Sequence, residues 1–325
     1  MKNKVVSLLI LFIAFGLVIF FSVKDDFNGI IIELKKVNLL IIFLAILLYF
    51  LALFVKSISI NKFINIKYKY NLFKTYILTI IATFINGITP LQSGGQPYEI
   101  YLLKKEKIRI TDSSSAIMKD FISYQIALIL LALISIMFNI KNFNLINIQT
   151  KLLISGGLFV NMIILLLFIL LLFDKKLVKR ITNIIIKKKP EKEKKIEESL
   201  NNFYSSTKEL NDRKILFIYC ILINMLYLVL LYLVPYVILK SFGINISLIS
   251  SITITSLVMM IGNFVPLPSG VGGIEYGFMQ LFGLIVTSSV LPGAMIMWRF
   301  VTFIMSLIVG FIVLMIKKGS DKKWE

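Results

Sequence analysis

Long apolar runs separated by short basic stretches dominate the chain, and their lengths predict helices that cross a bilayer. Runs at 5–22, 39–55, 113–138, 152–173 and 215–239 are long enough, or nearly so, to span it. A sixth starts at Pro292 and ends at Lys317-Lys318. Pro235 predicts a kink near the end of the fifth. Lys2 and Lys4 lend the first run the look of a signal peptide, but no small-residue cleavage site follows, so it reads as a retained span. Between the runs, 27–38 reads as a mixed-charge loop, 139–150 as an Asn-rich one and 240–247 as a nearly uncharged one. Residues 174–214 are dense in Lys and Glu, contain Pro190, and read as an exposed, partly helical loop.

Two further apolar stretches, 75–89 and 248–265, are shorter and run into glycine and proline. The first leads into Pro90-Leu-Gln-Ser-Gly-Gly-Gln-Pro-Tyr-Glu99 and the arm 97–103. The second leads into Pro266-Leu-Pro-Ser-Gly-Val-Gly-Gly-Ile-Glu275 and the arm 274–290. Proline lacks the N–H and glycine is entropically costly, so neither stretch continues a helix. Both read Pro-Leu-x-Ser-Gly and place a Glu nine positions after the first proline. Asn86-Gly87 precedes one and Gly262-Asn263 the other. Shared spacing of this kind suggests an internal repeat, and paired broken helices are a pointer to a transporter site; the alternative is a pair of ordinary loops. Backbone N–H groups at Ser93, Gly94 and Gly95, and from Ser269 through Gly270, Gly272 and Gly273, are expected to be free for an anion.

Charge orders these elements across the membrane. Lys56, Lys62, Lys67, Lys69 and Lys74 come without an acid, and Lys104, Lys105, Lys107 and Arg109 follow the first broken helix. Basic clusters on both flanks put both ends of that segment in the cytoplasm, as a re-entrant hairpin. The second hairpin then enters from outside. The expected architecture is an all-α polytopic membrane protein with about six full spans, two opposed re-entrant hairpins related as an inverted repeat, and both termini cytoplasmic. Residues 1–325 form one transmembrane domain. Composition agrees: 58% of the 325 residues are hydrophobic. The net charge of +19 follows the positive-inside pattern and attraction to anionic lipid, so no nucleic-acid partner is needed. The absence of histidine removes imidazole bases and His-ligated metals, and no cofactor is expected. Cys220 is the only cysteine, which excludes an internal disulfide.

Few charges fall inside the apolar segments: Glu99, Lys119, Asp120, Glu275 and Arg299. Each costs roughly 2.5–3.5 kcal/mol at the membrane centre on insertion scales, so water or a partner must reach it. Lys119 and Arg299 lie only about 10 Å from their helix starts and are able to snorkel, with Asp120 as a local counter-charge for Lys119 and Trp298 at an interface beside Arg299. Glu99 and Glu275 fall in the first turn after their breaks. There they either complement the helix dipole or offer a carboxylate near the bilayer middle. A short turn at Pro292-Gly293 is expected to pack the Glu275 arm beside the last helix, bringing Glu275 and Arg299 into one water-accessible site. Amides and carboxylates together would suit a headgroup that carries both a phosphate and an amine.

These motifs, with Ser93 to Leu103 and Trp298-Arg299, resemble the lysylphosphatidylglycerol synthase transmembrane-region family over essentially the whole chain. That family includes the flippase half of the bacterial multiple peptide resistance factor, a protein of antibiotic resistance, and stand-alone relatives. Gln96 and Glu99 stand where it usually has Glu and often has a basic residue. The resemblance implies translocation of a phospholipid or aminoacylated phospholipid headgroup, with membrane phospholipids as partners; a homo-oligomer is compatible with it. Full-length members append a cytosolic domain that uses aminoacyl-tRNA. This chain reads to Glu325 just after its last span, so the expectation is a transporter without lysyltransferase activity of its own. The competing expectation is the membrane half of such an enzyme, working with a separate catalytic partner.

Overall fold

The computed structural model describes residues 27–35, 37–138, 146–176, 178–180, 198, 200–205, 207, 213–287 and 289–321. The predicted first span, residues 139–145 and most of the 174–214 loop lie outside the described residues. Every regular element among them is helical. In chain order come α1 (Phe27–Lys35), α2 (Leu39–Ile64), α3 (Leu72–Gly87), α4 (Gly95–Lys105), α5 (Ile110–Phe138) and α6 (Ile148–Phe173). There follow α7 (Lys214–Tyr232), α8 (Val234–Ser241), α9 (Leu248–Phe264), α10 (Gly273–Phe282), α11 (Leu291–Arg299) and α12 (Met305–Asp321). Among the described residues, five helical stretches are long and apolar enough to cross a membrane: Leu39–Ile64, Ile110–Phe138, Ile148–Phe173, Lys214–Ser241 and Leu291–Lys317. α3 and α9 are shorter apolar helices.

Local chemistry sets where these helices begin. Asn38, Asn71 and Asn147 each turn a side-chain oxygen onto backbone N–H groups of the first turn, at the starts of α2, α3 and α6. That satisfies donors a helix start leaves open. Ends differ more from expectation. α2 runs nine residues past Val55, carrying Lys56 and Lys62 inside the helix rather than in a loop. Nothing between them breaks a helix, and Lys56 finds an acid within the fold. The 27–35 stretch, expected as a loop, is helix α1 and packs on α11. α10 stops at Phe282, where Gly283 caps it, well short of residue 290. Pro292 and Gly293 lie within α11, so the link from α10 to the last helix is the 283–290 segment, not a turn at those two residues. The kink expected from Pro235 falls at Leu233, between α7 and α8, as a proline in the first turn of the second piece requires.

The two breaks are alike in sequence but not in register. Left-handed backbone occurs at Leu91 and Gln92 (φ 54° and 52°) in the first, and at Ser269 and Gly270 (φ 54° and 62°) in the second. Gln92 aligns with Pro268, whose ring holds φ near −65° and forbids that conformation. The left-handed turn therefore moves on, and α10 begins two positions later in its copy than α4 does. Gly270 is required there, because a Cβ would sit 2.8 Å from the Gly262 carbonyl oxygen.

Packing repeats between the halves. α3 packs on α4 and on α12, and α9 packs on α10 and on α5. α2 and α7 pack on each other, and the two breaks touch. Where α6 meets α9 the backbones approach closely: a Cβ on Gly157 would lie 1.9 Å from the Met260 carbonyl oxygen. The outer faces of α2 and α6 expose Phe43, Leu47, Leu51, Phe159, Leu166 and Leu167. Such faces suit lipid rather than water.

One ionic clip joins α3, the link between α4 and α5, and the end of the last span. Glu106, between α4 and α5, takes Lys74 Nζ at 2.7 Å and Lys317 Nζ at 3.1 Å on its two oxygens. Burial pushes its carboxyl up, but hydrogen bonds and charge from Lys74 and Lys317 outweigh this and hold it below the usual Glu value. A depressed carboxyl stabilises above its unfolded value and loses that contribution as pH falls through the folded one. Thermal stability of the purified protein is therefore expected to fall on acidification below the ordinary Glu range. Glu106→Gln should show a smaller acid-side loss; an unchanged pH profile in that variant would remove the clip from the account.

Candidate functional site

Glu275 is the third residue of α10, and the left-handed Gly272 (φ 89°) turns the chain so that the carboxylate reaches back over the helix start. Glu275 Oε2 accepts from the Gly272 N–H at 2.6 Å. Its other oxygen, Oε1, lies 2.7 Å from Arg299 Nε. The Nε hydrogen does not point along that line, so the contact is a close ion pair rather than a hydrogen bond. The guanidinium also donates, at a long 3.4 Å, from Nη2 to the Ser269 carbonyl, and stacks over the Phe303 ring at 4.8 Å. Side-chain exposure is 2% for Glu275 and 4% for Arg299, so neither charge is solvated from outside. Arg299 does not snorkel. Trp298 is sealed inside rather than interfacial, stacked on Phe278 with centroids 5.0 Å apart.

Directly after Arg299 the helix widens into a π-turn at Phe300–Ile304, and the Met305 N–H bonds to the Phe300 carbonyl. Such turns place one extra residue in a helix and recur at functional sites. The site thus joins one broken helix to one irregular helix through a buried ion pair. Residues 5–310 match the family described as "Lysylphosphatidylglycerol synthase TM region".

The chain belongs to that family. No curated protein matches it. Membership of the lysylphosphatidylglycerol synthase transmembrane-region family, with the five apolar helices, places the chain in a membrane.

The backbone amides expected to wait for an anion are mostly occupied. Ser93 N donates to the Pro90 carbonyl, Gly94 N to Thr89 Oγ1 at 3.1 Å, and Gly95 N to Asn86 Oδ1 at 2.7 Å. In the second break, Gly270 N bonds the Leu267 carbonyl and Gly272 N is taken by Glu275. Tight turns close their own hydrogen bonds, because a buried unpaired N–H is costly. Ser269 contributes its carbonyl to Arg299 rather than an amide to an anion. Gly273 opens α10 and is buried, while Gln96 and Asn263 are half-buried at the edges of the breaks. Asn86 is a bridge that closes the first break.

Glu99 belongs to the second turn of α4 rather than the first, as the two-residue register difference demands. It is buried, on a helix that packs against α5, which carries part of a second polar cluster. There Asp120 pairs with Lys56, Nζ to Oδ2 at 2.6 Å, and not with its neighbour Lys119. Asp120 Oδ1 accepts from Ser59 Oγ at 2.6 Å, and Asn224 Nδ2 bonds Ser59 and Ser123 at 3.0 and 2.9 Å. Lys119 is buried and lines a small crevice with Lys67, Tyr68 and Asp112. Lys56 and Asn224 were absent from the expected site residues. The available signal for Asn224 was its standing as the one amide within the apolar run 215–239.

Proposed function

We propose that the chain moves a phospholipid headgroup, zwitterionic or aminoacylated as in lysylphosphatidylglycerol, across the cell membrane. The buried Glu275–Arg299 pair at a helix break carries this reading. A sealed acid and base satisfy each other at rest, and a headgroup with a phosphate and an amine replaces each by its own opposite charge. The guanidinium fork suits the phosphate and the carboxylate suits the amine. Exchange of partners lets the pair open without stranding either charge in low dielectric.

The architecture that fits is six spans, with 5–22 as the first, and two re-entrant hairpins, α3–α4 and α9–α10. α3 has 16 residues and α9 has 17, so at 1.5 Å per residue each reaches only about 24–26 Å, short of a ~30 Å core. Basic residues on both flanks of α3–α4 keep its ends cytoplasmic, as they do the chain termini. Hairpins entering from opposite faces would meet at their breaks near mid-membrane, and the contact between the breaks supports this.

Purified protein in liposomes, given headgroup-labelled phosphatidylglycerol, phosphatidylethanolamine and lysylphosphatidylglycerol, should speed transfer between leaflets of the two lipids that carry an amine. Equal transfer with and without protein for all three would overturn the reading. The family's description as a synthase favours a second reading, in which the chain is the membrane half of a phosphatidylglycerol lysyltransferase with a separate catalytic partner. Supplying lysyl-tRNA and phosphatidylglycerol to the purified chain should yield no lysylated lipid, and clear product would reverse the order.

A further inference from the structure

Lys56 and Asp120 form a pair that the headgroup reading leaves unused, and the buried Glu99 lies on α4, which packs on α5, the helix of Asp120. The base and the first acid are complete. Lys56 Nζ lies 2.6 Å from Asp120 Oδ2 and 2.8 Å from Asn224 Oδ1, and 4.9 Å from the Tyr124 ring centroid. Asp120 is further held by Ser59 and, at 3.4 Å, by Asn224 Nδ2. Their charges cancel within a satisfied network.

Glu99 is the remainder. It is 6% exposed, and its carboxyl has no hydrogen bond or ion pair with any described residue. Of the titratable groups on the elements packed around it, α3 carries Lys74 and Tyr76, and α5 carries Asp112, Lys119, Asp120 and Tyr124. Lys74 is bound to Glu106, and Asp112 to Lys67 and Arg109. Asp120 and Lys56 are the groups whose charge reaches Glu99. An ionised Glu99 would have no hydrogen-bond donor and no counter-ion of its own among the described residues, a disfavoured state in a buried position. A proton on its carboxyl makes the cluster neutral.

We propose that Glu99 is a proton-coupling site: it takes up and releases one proton in each transport cycle. This rests on the transporter reading above. The proton comes from water on one side and bonds to a Glu99 carboxyl oxygen; that O–H bond breaks when the site faces the other side, and the proton returns to water there. Lys56 and Asp120 keep their charges throughout, so the cluster alternates between neutral and one negative charge. When ionised, Glu99 competes with Asp120 for Lys56, which draws α4 against α2 and α5. α4 is the arm of the first break, and that break touches the second, where Glu275 and Arg299 sit. The two breaks are therefore the mechanical link between proton and headgroup.

Two measurements test this. Infrared spectroscopy of the purified protein at neutral pH should show the carbonyl band of a protonated buried carboxyl, shifted in deuterium oxide. The band should vanish in Glu99→Gln and persist in Glu106→Gln. In liposomes, an imposed proton gradient should drive uneven lipid distribution in the wild type, up to about tenfold per pH unit for one proton per lipid, and Glu99→Gln should not respond. Absence of the band overturns proton binding whatever the lipid does, and the deuterium shift reads the wild type even if the variant fails to fold. A band together with lipid movement indifferent to the gradient overturns coupling and leaves the transporter reading standing. No lipid movement in any condition overturns the transporter reading and the coupling with it.

Discussion

Glu275→Gln and Arg299→Gln are each expected to abolish lipid movement, by at least about tenfold, equivalent to about 1.4 kcal/mol. Glutamine at 275 keeps an oxygen for the Gly272 N–H, so the cap on α10 survives. What it removes is the charge opposite Arg299, a guanidinium only 4% exposed. Stranding one member of a buried pair costs about 3–5 kcal/mol, so folded yield should also fall. The double variant Glu275→Gln/Arg299→Gln separates the two effects. With both charges gone, thermal stability should recover towards the wild type while transport stays lost, because the headgroup then has no partners to exchange with. Lys192→Gln, in the basic 174–214 stretch of the sequence, serves as a charge control outside the apolar runs and should leave transport near the wild-type rate. Transport regained in the double variant would make the pair a structural anchor and place the headgroup site elsewhere.

Hydropathy made the long helices legible, because a bilayer demands about twenty apolar residues and few other structures do. Proline and glycine made the breaks legible. The scarcity of charge in apolar segments singled out Glu275 and Arg299, which the fold sets 2.7 Å apart. Less visible were features that depend on distant residues. Lys56 looked like the start of a cytoplasmic stretch, since a lysine after an apolar run ordinarily marks the interface. Its acid, Asp120, lies on another helix, and nothing local announces the pairing. The spacing of Glu99 and Glu275 from their prolines suggested equal helical positions. One residue, Pro268 in place of Gln92, shifts the second turn and with it the role each carboxylate plays. Free amides were inferred from glycine content alone, whereas the turn's own geometry decides which N–H groups remain open.

The second large effect is expected at the Lys56–Asp120 pair, read as stability rather than transport. Asp120→Asn keeps an acceptor for Ser59 but leaves Lys56 without its anion; Lys56→Met leaves Asp120 without its cation. Lys56→Met should destabilise by roughly 3–5 kcal/mol, and Asp120→Asn by less, because Lys56 retains 15% side-chain exposure and Glu99 is left to take the place of its anion. The double variant Asp120→Asn/Lys56→Met removes both charges and should lie within about 1 kcal/mol of the wild type, since a buried pair replaced together is often neutral. Single losses that simply add in the double variant would show that the two groups act independently and would sink the pairing as a source of stability. Glu99 sharpens the test. In Asp120→Asn it is the remaining acid whose charge reaches Lys56, so it should give up its proton and serve as the counter-ion. Asp120→Asn/Glu99→Gln should then lose more stability than the two single variants combined, the opposite sign of coupling from that of the ion pair. Simple additivity there would mean that Glu99 and Lys56 do not share a charge.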